Sequence, residues 1–195
     1  MKDDKIYFFE TVELDIEDFP TAGYILDVGG GGEGMIGRLK GADVVSIDCR
    51  EDELMEAPDG PLKIVMDARQ LRFLSGTFSA ATAFFSFMYF DKTDDILSAL
   101  AEIYRVLKTG GVFHLWDVNI KQLPETEKEV FAVRLECSVK GQFCETAYGR
   151  PWPREKRDIE YYRRLMEGQG FEHVNTEATG CTFHSCYRKL QGRPG

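Results

Sequence analysis

Short apolar runs alternate with amphipathic segments through the first part of the chain. Five of these runs have the length and the continuous apolar character of strands buried on both faces: 24–28, 43–47, 62–66, 77–87 and 112–118. Before the last of them, residues 92–108 carry apolar side chains at helical spacing, and shorter helical segments at 33–40 and 51–56 separate the earlier runs. Strands and helices that alternate at this spacing predict an α/β fold with a doubly wound, mostly parallel sheet.

The pattern changes after residue 118. Residues 130–148 alternate between apolar and polar positions on either side of Lys140 and Gly141, which predicts a β-hairpin with a two-residue turn. A helix over 157–167 and two strands, 171–177 and 182–190, follow. The gap between these two strands is too short for a helical crossover, so we predict that they pair antiparallel.

The length and the spacing of the elements predict one domain over residues 1–195. Within it, residues 1–22 are predicted to be an N-terminal edge segment, formed by either an edge strand or a hairpin. Residues 119–155 are predicted to contain the hairpin, inserted after the fifth strand of the sheet.

Charge and composition limit the classes of partner. The formal net charge of -9 argues against a broad nucleic-acid-binding face, because phosphate neutralisation needs clustered Lys and Arg. We interpret a local basic patch over 150–164 as the solvated face of a helix start in preference to a phosphate site. No apolar stretch reaches the roughly 20 residues of a membrane span, and the first residues lack the apolar core of a signal peptide. We therefore expect a cytoplasmic protein with neither a membrane nor a nucleic-acid partner.

The five cysteines are widely spread and include no Cys-x-x-Cys pair, so we expect neither a disulfide framework nor a metal site. The predicted hairpin turn would set Cys137 directly opposite Cys144. Two interpretations are open for this pair: a redox-sensitive or metal-binding site, or two ordinary cross-strand thiols, of which the second is favoured.

A glycine-rich turn follows the first apolar run. Residues 27–34 read Asp-Val-Gly-Gly-Gly-Gly-Glu-Gly and lie between a predicted strand and a predicted helix. Glycines in this position let the backbone approach a ligand closely. The spacing Gly29-x-Gly31-x-x-Gly34 also matches the fingerprint of NAD-binding folds, and Asp48 stands near the distance expected for its ribose-binding acid. The turn therefore indicates a nucleotide-like ligand. It fits both a dinucleotide, which carries a pyrophosphate, and a nucleoside ligand without phosphate.

Asp27 favours one of these classes. It stands at the carboxyl end of the first strand, directly before the glycines, where we expect it to face the ligand. A carboxylate would repel a pyrophosphate and attract an amino group. The local charge therefore fits a ligand that carries a cationic amine and no phosphate.

Several stretches resemble class I S-adenosylmethionine-dependent methyltransferases, over roughly residues 24–118. Residues 25–31, Ile-Leu-Asp-Val-Gly-Gly-Gly, resemble the first motif of that family, and 45–48, Val-Ser-Ile-Asp, resemble the second, whose acid holds the ribose hydroxyls. Residues 66–68, Met-Asp-Ala, are similar to the stretch whose acid meets the adenine amino group, and 78–90 are similar to its fourth strand. Residues 105–111 resemble the Leu-Lys-Pro-Gly-Gly turn before strand five, with Thr109 in place of proline.

This resemblance implies a Rossmann-like, seven-stranded sheet that ends in an antiparallel C-terminal strand pair, with the hairpin inserted after strand five. The chain departs from the family at Glu33, where the third glycine of the motif normally stands, and at Ser79, where an aspartate is usual. The first departure predicts a small change at the start of the helix. The second lies at the far end of its strand from the ligand.

The resemblance also implies S-adenosylmethionine as cofactor and S-adenosylhomocysteine as product. In such sheets, ligands bind outside the carboxyl ends of the strands. This rule and the motifs nominate the cofactor-binding residues: Asp27, Gly29, Gly30, Gly31, Asp48, Cys49, Asp67, Ala68, Phe85 and Ser86.

Whether catalysis needs a general base depends on the acceptor: a thiolate needs none, whereas a hydroxyl or an ammonium group does. Tyr89 and Asp117 follow predicted strand ends and are the candidates, although a structural hydrogen bond explains each equally well. The inserted hairpin is the expected acceptor-side element, and the short N-terminal segment predicts an open site.

We therefore expect an S-adenosylmethionine-dependent methyltransferase that acts on a small-molecule acceptor. The alternatives are an NAD-dependent oxidoreductase and a protein that binds S-adenosylmethionine or its product without turnover. The acceptor and the oligomeric state are not readable from the sequence.

Overall fold

The computed structural model describes residues 3–190, which form two β-sheets and four α-helices. The helices are α1 Met35–Lys40, α2 Glu51–Glu56, α3 Thr93–Val106 and α4 Ile159–Gln169. The strands are β1 Ile6–Phe8, β2 Val12–Asp15, β3 Ile25–Val28, β4 Val44–Asp48, β5 Leu62–Val65, β6 Phe78–Phe84, β7 Leu107–Val118, β8 Val130–Val139, β9 Gln142–Pro151, β10 Phe171–Thr179 and β11 Thr182–Lys189.

The larger sheet has seven strands in the order β10-β11-β7-β6-β3-β4-β5. The five strands from β7 to β5 run parallel, and β11 runs antiparallel to both of its neighbours. Strands β3 and β6 lie in the centre, and the fully buried residues of β3 explain its continuous apolar character. The predicted Rossmann-like sheet with an antiparallel C-terminal pair is thus confirmed.

Helix α3 covers one face of this sheet with an apolar stripe that is fully buried: Ile96, Ala99, Leu100, Ile103 and Val106. These side chains pack in a core cluster with Leu26 of β3 and Phe113 of β7. A second cluster on the opposite face contains Ile36 of α1 together with residues of the hairpin. The sheet is therefore covered on both faces, as the predicted doubly wound fold requires.

The inserted hairpin belongs to the second, smaller sheet. Strand β8 pairs antiparallel with β9 around a turn at Lys140 and Gly141, both of which have positive φ (49° and 75°). The two-residue turn predicted from the sequence is correct. Strands β1 and β2 pair parallel with the other edge of β8. The N-terminal segment therefore provides edge strands, not a hairpin, and it holds the inserted hairpin against the main sheet.

Several predicted boundaries differ from the structure by a few residues, and two of these differences have a clear local cause. Helix α1 begins at Met35, not at residue 33, because Gly32 and Gly34 take left-handed backbone conformations (φ 58° and 55°). Strand β7 begins at Leu107, not at residue 112, because Leu107 already pairs with Phe78 before the register shifts. Within residues 3–190, no helix is both long and apolar enough to cross a membrane.

Candidate functional site

The glycine turn packs so closely that side chains are excluded from it. The backbone N–H groups of Gly29 and Gly30 donate to the Ile47 carbonyl oxygen at 2.8 and 3.1 Å, which ties the turn to the end of β4. A Cβ on Gly29 would lie 2.4 Å from the Cβ of Ser86, and a Cβ on Gly31 would lie 2.5 Å from that of Glu53. The glycines therefore bring the backbone against the ends of β6 and α2.

A cavity of about 600 Å³ opens beside this turn, at the edge of the sheet where the carboxyl ends of β3, β4, β5 and β6 meet. All but two of the residues nominated for the cofactor line it: Gly29, Gly31, Asp48, Cys49, Asp67, Ala68, Phe85 and Ser86. The volume lies within the range of ordinary small-ligand sites, roughly 300–1,000 Å³. The topology thus brings together residues that are far apart in the sequence.

The two exceptions, Asp27 and Gly30, lie beneath the turn and outside the cavity lining. The Asp27 side chain is 2% exposed, and its Oδ1 accepts a hydrogen bond of 2.7 Å from the Thr82 hydroxyl. A Cβ on Gly30 would lie only 2.4 Å from Asp27 Oδ2, so the turn covers the carboxyl. The prediction that Asp27 faces the ligand is therefore wrong. Burial raises its pKa to about 7, which further weakens its charge.

Carboxylates at the ends of β4 and β5 define one end of the cavity. Asp48 Oδ1 accepts from the Arg50 backbone N–H at 2.9 Å, which fixes its orientation. Asp67 accepts from the Arg69 guanidinium at 2.7 Å, and Arg69 also pairs with Asp95 at 2.8 Å. The hydrogen bond from Arg69 holds the pKa of Asp67 below its usual value. Both carboxylates are therefore held as oriented acceptors.

The opposite end of the cavity is aromatic. Phe85 follows β6 with a positive φ of 50°, which is unusual for a residue with a side chain. Its ring stacks on Tyr148 of β9, with centroids 5.2 Å apart and planes 6° apart. The Ser86 hydroxyl donates to the Val28 carbonyl oxygen at 2.7 Å and joins this segment to β3. The hairpin thus covers the aromatic end, so the site is less open than the N-terminal segment suggested.

Glu33 is a cavity residue that sequence reasoning did not nominate. Its carboxylate accepts hydrogen bonds from the hydroxyl groups of Thr146 and Tyr148, the latter at 3.1 Å. The signal was present in the sequence, because Glu33 stands where the resemblance expects a glycine. The role of Glu33 depends on the hairpin residues that face the turn, and no local sequence pattern shows which residues these are.

The two catalytic candidates occupy different places. Tyr89 is 51% exposed and lines the cavity, and partial burial of its hydroxyl raises its pKa. Asp117 is buried outside the cavity, beside Tyr162 and Arg157, and burial raises its pKa to about 7. The structure therefore brings only Tyr89 to the site, and Tyr89 is protonated at neutral pH.

Two arginines of the basic patch are buried, contrary to the interpretation of the whole patch as a solvated face. Arg150 and Arg157 are only 9% and 4% exposed. Arg150 donates to the carbonyl oxygens of Met88 and Phe90 and pairs with the Asp91 carboxylate at 2.7 Å. Arg157 donates to the Phe90 carbonyl oxygen at 2.7 Å. Together they hold the loop after β6 that carries Tyr89, and neither is free to bind an anionic ligand.

Cys137 and Cys144 lie directly opposite each other, as predicted, and both thiols are free. Burial raises the pKa of Cys137 to about 12, which disfavours the reactive thiolate. Among residues 3–190, no group of three or more His, Cys, Asp and Glu side chains is arranged to hold a metal ion. These observations favour the interpretation as ordinary cross-strand thiols.

Comparison with known families places residues 26–115 in the methyltransferase domain family. This segment runs from β3 into β7 and contains the glycine turn, Asp48, Asp67 and the loop after β6. No curated protein matches the sequence.

Solved structures of methyltransferases share the fold at low sequence identity. A SAM-dependent methyltransferase from Methanosarcina mazei is 18% identical, with a TM-score of 0.65 over 91% of this chain and 99% of the other. A SAM-dependent methyltransferase from Thermotoga maritima is 20% identical, with a TM-score of 0.64 over 88% and 84%. A chain of the Haloferax volcanii complex between the Trm112 methyltransferase activator and a methyltransferase is 14% identical, with a TM-score of 0.63 over 91% and 86%.

Proposed function

We propose that this chain is a class I S-adenosylmethionine-dependent methyltransferase, an active enzyme that methylates a small-molecule acceptor; the match of residues 26–115 to the methyltransferase domain family supports the proposal. One observation carries the proposal. A single cavity of about 600 Å³ continues from the carboxylates at the ends of β4 and β5 to the aromatic side chains beside β6 and β9. It therefore offers one region for a cofactor and an adjoining region for an acceptor.

The residues around the first region fit the cofactor. In this proposal Asp48 offers carboxylate oxygens to the ribose hydroxyls, and the adenine is assigned to the part of the cavity lined by Asp67 and Ala68. Gly29 and Gly31, which also line the cavity, let the turn pack against Ser86 and Glu53, where any larger residue would collide. When bound, S-adenosylmethionine supplies an activated methyl group, and the protein supplies binding and orientation.

The second region suits an aromatic or apolar acceptor of modest size. Tyr148 and Tyr89 form its walls, the buried ring of Phe85 backs Tyr148, and the hairpin covers one side. Arg150 and Arg157 are engaged with backbone carbonyls and Asp91, so the basic patch does not favour an anionic acceptor. Holding the acceptor against the methyl donor in an in-line arrangement is the main catalytic contribution we assign to these residues.

Neither candidate residue acts as a general base in this proposal. Tyr89 keeps its proton at neutral pH and can donate a hydrogen bond to the acceptor. Asp117 has no contact with the cavity. An acceptor that needs no base at the methyl transfer step, such as a thiolate or a neutral amine, is therefore favoured over an alcohol.

The proposal is tested by incubating the protein with S-adenosylmethionine and a panel of aromatic thiols, amines, alcohols and carboxylic acids. We expect S-adenosylhomocysteine and a methylated product to accumulate in equal amounts with a thiol or an amine. A Phe85→Ala variant should lose most of this activity, whereas Phe143→Ala, which removes an exposed ring 87% accessible to solvent, should keep it. Tight binding of the cofactor without methyl release across the panel would favour the non-catalytic binding protein instead.

A further inference from the structure

We propose that the carboxylate of Glu33 is a binding site for a positively charged amino group inside the cavity. The inference rests on the proposed function, because that amino group belongs either to the cofactor or to an acceptor, whose ammonium group would bind here while a different, neutral or thiolate atom takes the methyl group. Glu33 has no counterpart in the motif that the first part of the chain resembles, where a glycine stands in its place.

The position of Glu33 distinguishes it from the other carboxylate of the turn. Residues 27–34 contain two acidic side chains, Asp27 and Glu33. Asp27 is buried beneath Gly30 and bonded to Thr82, whereas Glu33 is partly exposed and lines the cavity. A cation that enters the cavity beside the glycines therefore meets Glu33, and the charge that we first assigned to Asp27 is supplied from the other end of the turn.

The hairpin holds the Glu33 carboxylate in place before any ligand binds. The Thr146 hydroxyl donates to Oε1 and the Tyr148 hydroxyl donates to Oε2. A carboxylate offers about four lone-pair positions, so both oxygens keep a free acceptor site. Because two strand-borne hydroxyls fix the group, little ordering is needed when an ammonium donor arrives.

The balance of charge around Glu33 favours a cation. The two donors to its carboxylate are neutral. Arg38 donates to the Glu33 backbone carbonyl oxygen at 2.7 Å, but none of the ion pairs found within residues 3–190 joins a lysine or an arginine to the Glu33 carboxylate. The two guanidinium groups of the cavity lining are already paired with carboxylates, Arg50 with Asp52 and Arg69 with Asp67. The Glu33 charge is therefore available to a ligand.

The aromatic pair beside Glu33 adds a second attraction for the same kind of group. Tyr148, which donates to Glu33, is half-buried and lines the cavity, and it stacks on the buried ring of Phe85, which supports it from behind. Aromatic faces attract ammonium groups through the ring quadrupole. A carboxylate and aromatic faces in one corner form a site with the chemistry of amine recognition.

Calorimetric titration of a Glu33→Gln variant separates the two sources of the amino group. Glutamine preserves the size of the side chain and an oxygen for one hydroxyl, and it removes the charge. S-adenosylhomocysteine carries the ammonium of the cofactor, whereas 5′-methylthioadenosine lacks the amino-acid part. If Glu33 binds the cofactor amine, the variant should bind S-adenosylhomocysteine about tenfold more weakly and 5′-methylthioadenosine as the wild type does.

A second titration uses 2-phenylethylamine as probe on protein saturated with S-adenosylhomocysteine. If Glu33 binds an acceptor amine, the variant should lose about tenfold in affinity for this probe and keep its affinity for S-adenosylhomocysteine. The control is Glu145→Gln, the same change at an exposed position on β9, which should match the wild type in every titration.

Unchanged affinity of Glu33→Gln for both S-adenosylhomocysteine and the amine would overturn the inference. An equal loss for S-adenosylhomocysteine and 5′-methylthioadenosine would also overturn it, because that result indicates a disturbed turn and no ammonium contact. These titrations need no turnover, so absent methyl transfer in the acceptor panel refutes the proposed function and leaves the amine site standing. A wild type that binds none of the probes contradicts both.

Discussion

Burial separates two carboxyl groups near the glycine turn, one enclosed by protein and one that lines the cavity. The Asp27 side chain is enclosed by Gly30, Thr82 and Ser46, and loss of solvation raises its pKa from 3.8 to about 7. Asp48, which the sequence also nominated, stands one strand away and reaches the cavity. The difference arises from one turn of backbone that covers the first carboxyl and leaves the second exposed to a ligand.

The raised pKa of Asp27 predicts a particular pH dependence of stability. The folded state retains a proton that the unfolded chain releases above about pH 4, so this contribution is complete at low pH and is lost as the pH rises towards 7. An Asp27→Asn variant lacks it. We therefore compare the free energy of unfolding of Asp27→Asn with that of the wild type. The variant's value minus the wild-type value should rise by roughly 2–3 kcal/mol between about pH 5 and about pH 7 and level off above that.

Urea unfolding of both proteins across this pH range measures the difference. The matched control is Asp43→Asn, an exposed carboxylate at the start of β4, which should show no comparable trend. A difference between Asp27→Asn and wild type that does not change with pH would show that the buried carboxyl is ionised in the folded protein over the whole range.

The location of a single site residue was predictable where its position in a strand alone determines where its side chain points. Asp48 and Asp67 stand at or directly after the carboxyl ends of parallel strands, and this position brought both to the cavity. Asp27 stands one residue before its strand end, and the alternation of side chains along a strand turns it into the core. Glu33 depends on contacts with Thr146 and Tyr148, more than a hundred residues away, which no local signal encodes.

At the scale of elements, the loop after β6 is held by side chains that come from outside the main sheet. Arg150, at the end of β9, and Arg157, before α4, donate to the carbonyl oxygens of Met88 and Phe90. This loop presents Tyr89 to the cavity. Its conformation therefore depends on how the hairpin returns to the main sheet.

An Arg150→Leu variant should loosen this loop. The substitution leaves buried carbonyl groups without donors and removes the partner of Asp91, so we expect a loss of about 3 kcal/mol in stability, or roughly 6–12 °C in melting temperature. Hydrogen exchange should quicken at the amides of Tyr89 and Phe90, which bond within the loop. Arg154→Leu, at an exposed position nearby, is the control.

Unchanged exchange at residues 87–91 in Arg150→Leu, even with a lower melting temperature, would show that the arginine stabilises the hairpin without positioning the loop. The basic patch was misread from the sequence for a related reason. Charge runs are usually solvated, and only the tertiary structure shows that two members of this one point inward to backbone carbonyls.

At the scale of the whole molecule, the main sheet was predictable because each strand and helix carries its own pattern. The continuous apolar runs identified the parallel strands, and the short gap between β10 and β11 required antiparallel pairing. The second sheet was not predictable in the same way. Strands β1 and β2 pair with β8 across more than a hundred residues, and their short, irregular alternation left both an edge strand and a hairpin open.

The second sheet completes the functional unit, because its strand β9 supplies Tyr148 and Thr146, one to the aromatic wall and both to Glu33. In the proposed function, the main sheet provides the cofactor region and the hairpin provides the acceptor side. The hairpin that we expected on the acceptor side does contact the cavity beside the main sheet. Its role in acceptor binding is a proposal that the panel of acceptors tests.

Calorimetric titration of wild type and Asp48→Ala with S-adenosylhomocysteine and with NAD tests the central claim most directly, with Asp43→Ala as the exposed control. We predict that the wild type binds one S-adenosylhomocysteine and does not respond to NAD, and that Asp48→Ala loses at least about tenfold in affinity because the ribose hydroxyls lose their acceptor. Binding of NAD with no response to S-adenosylhomocysteine, or an Asp48→Ala variant with wild-type affinity, would contradict the account.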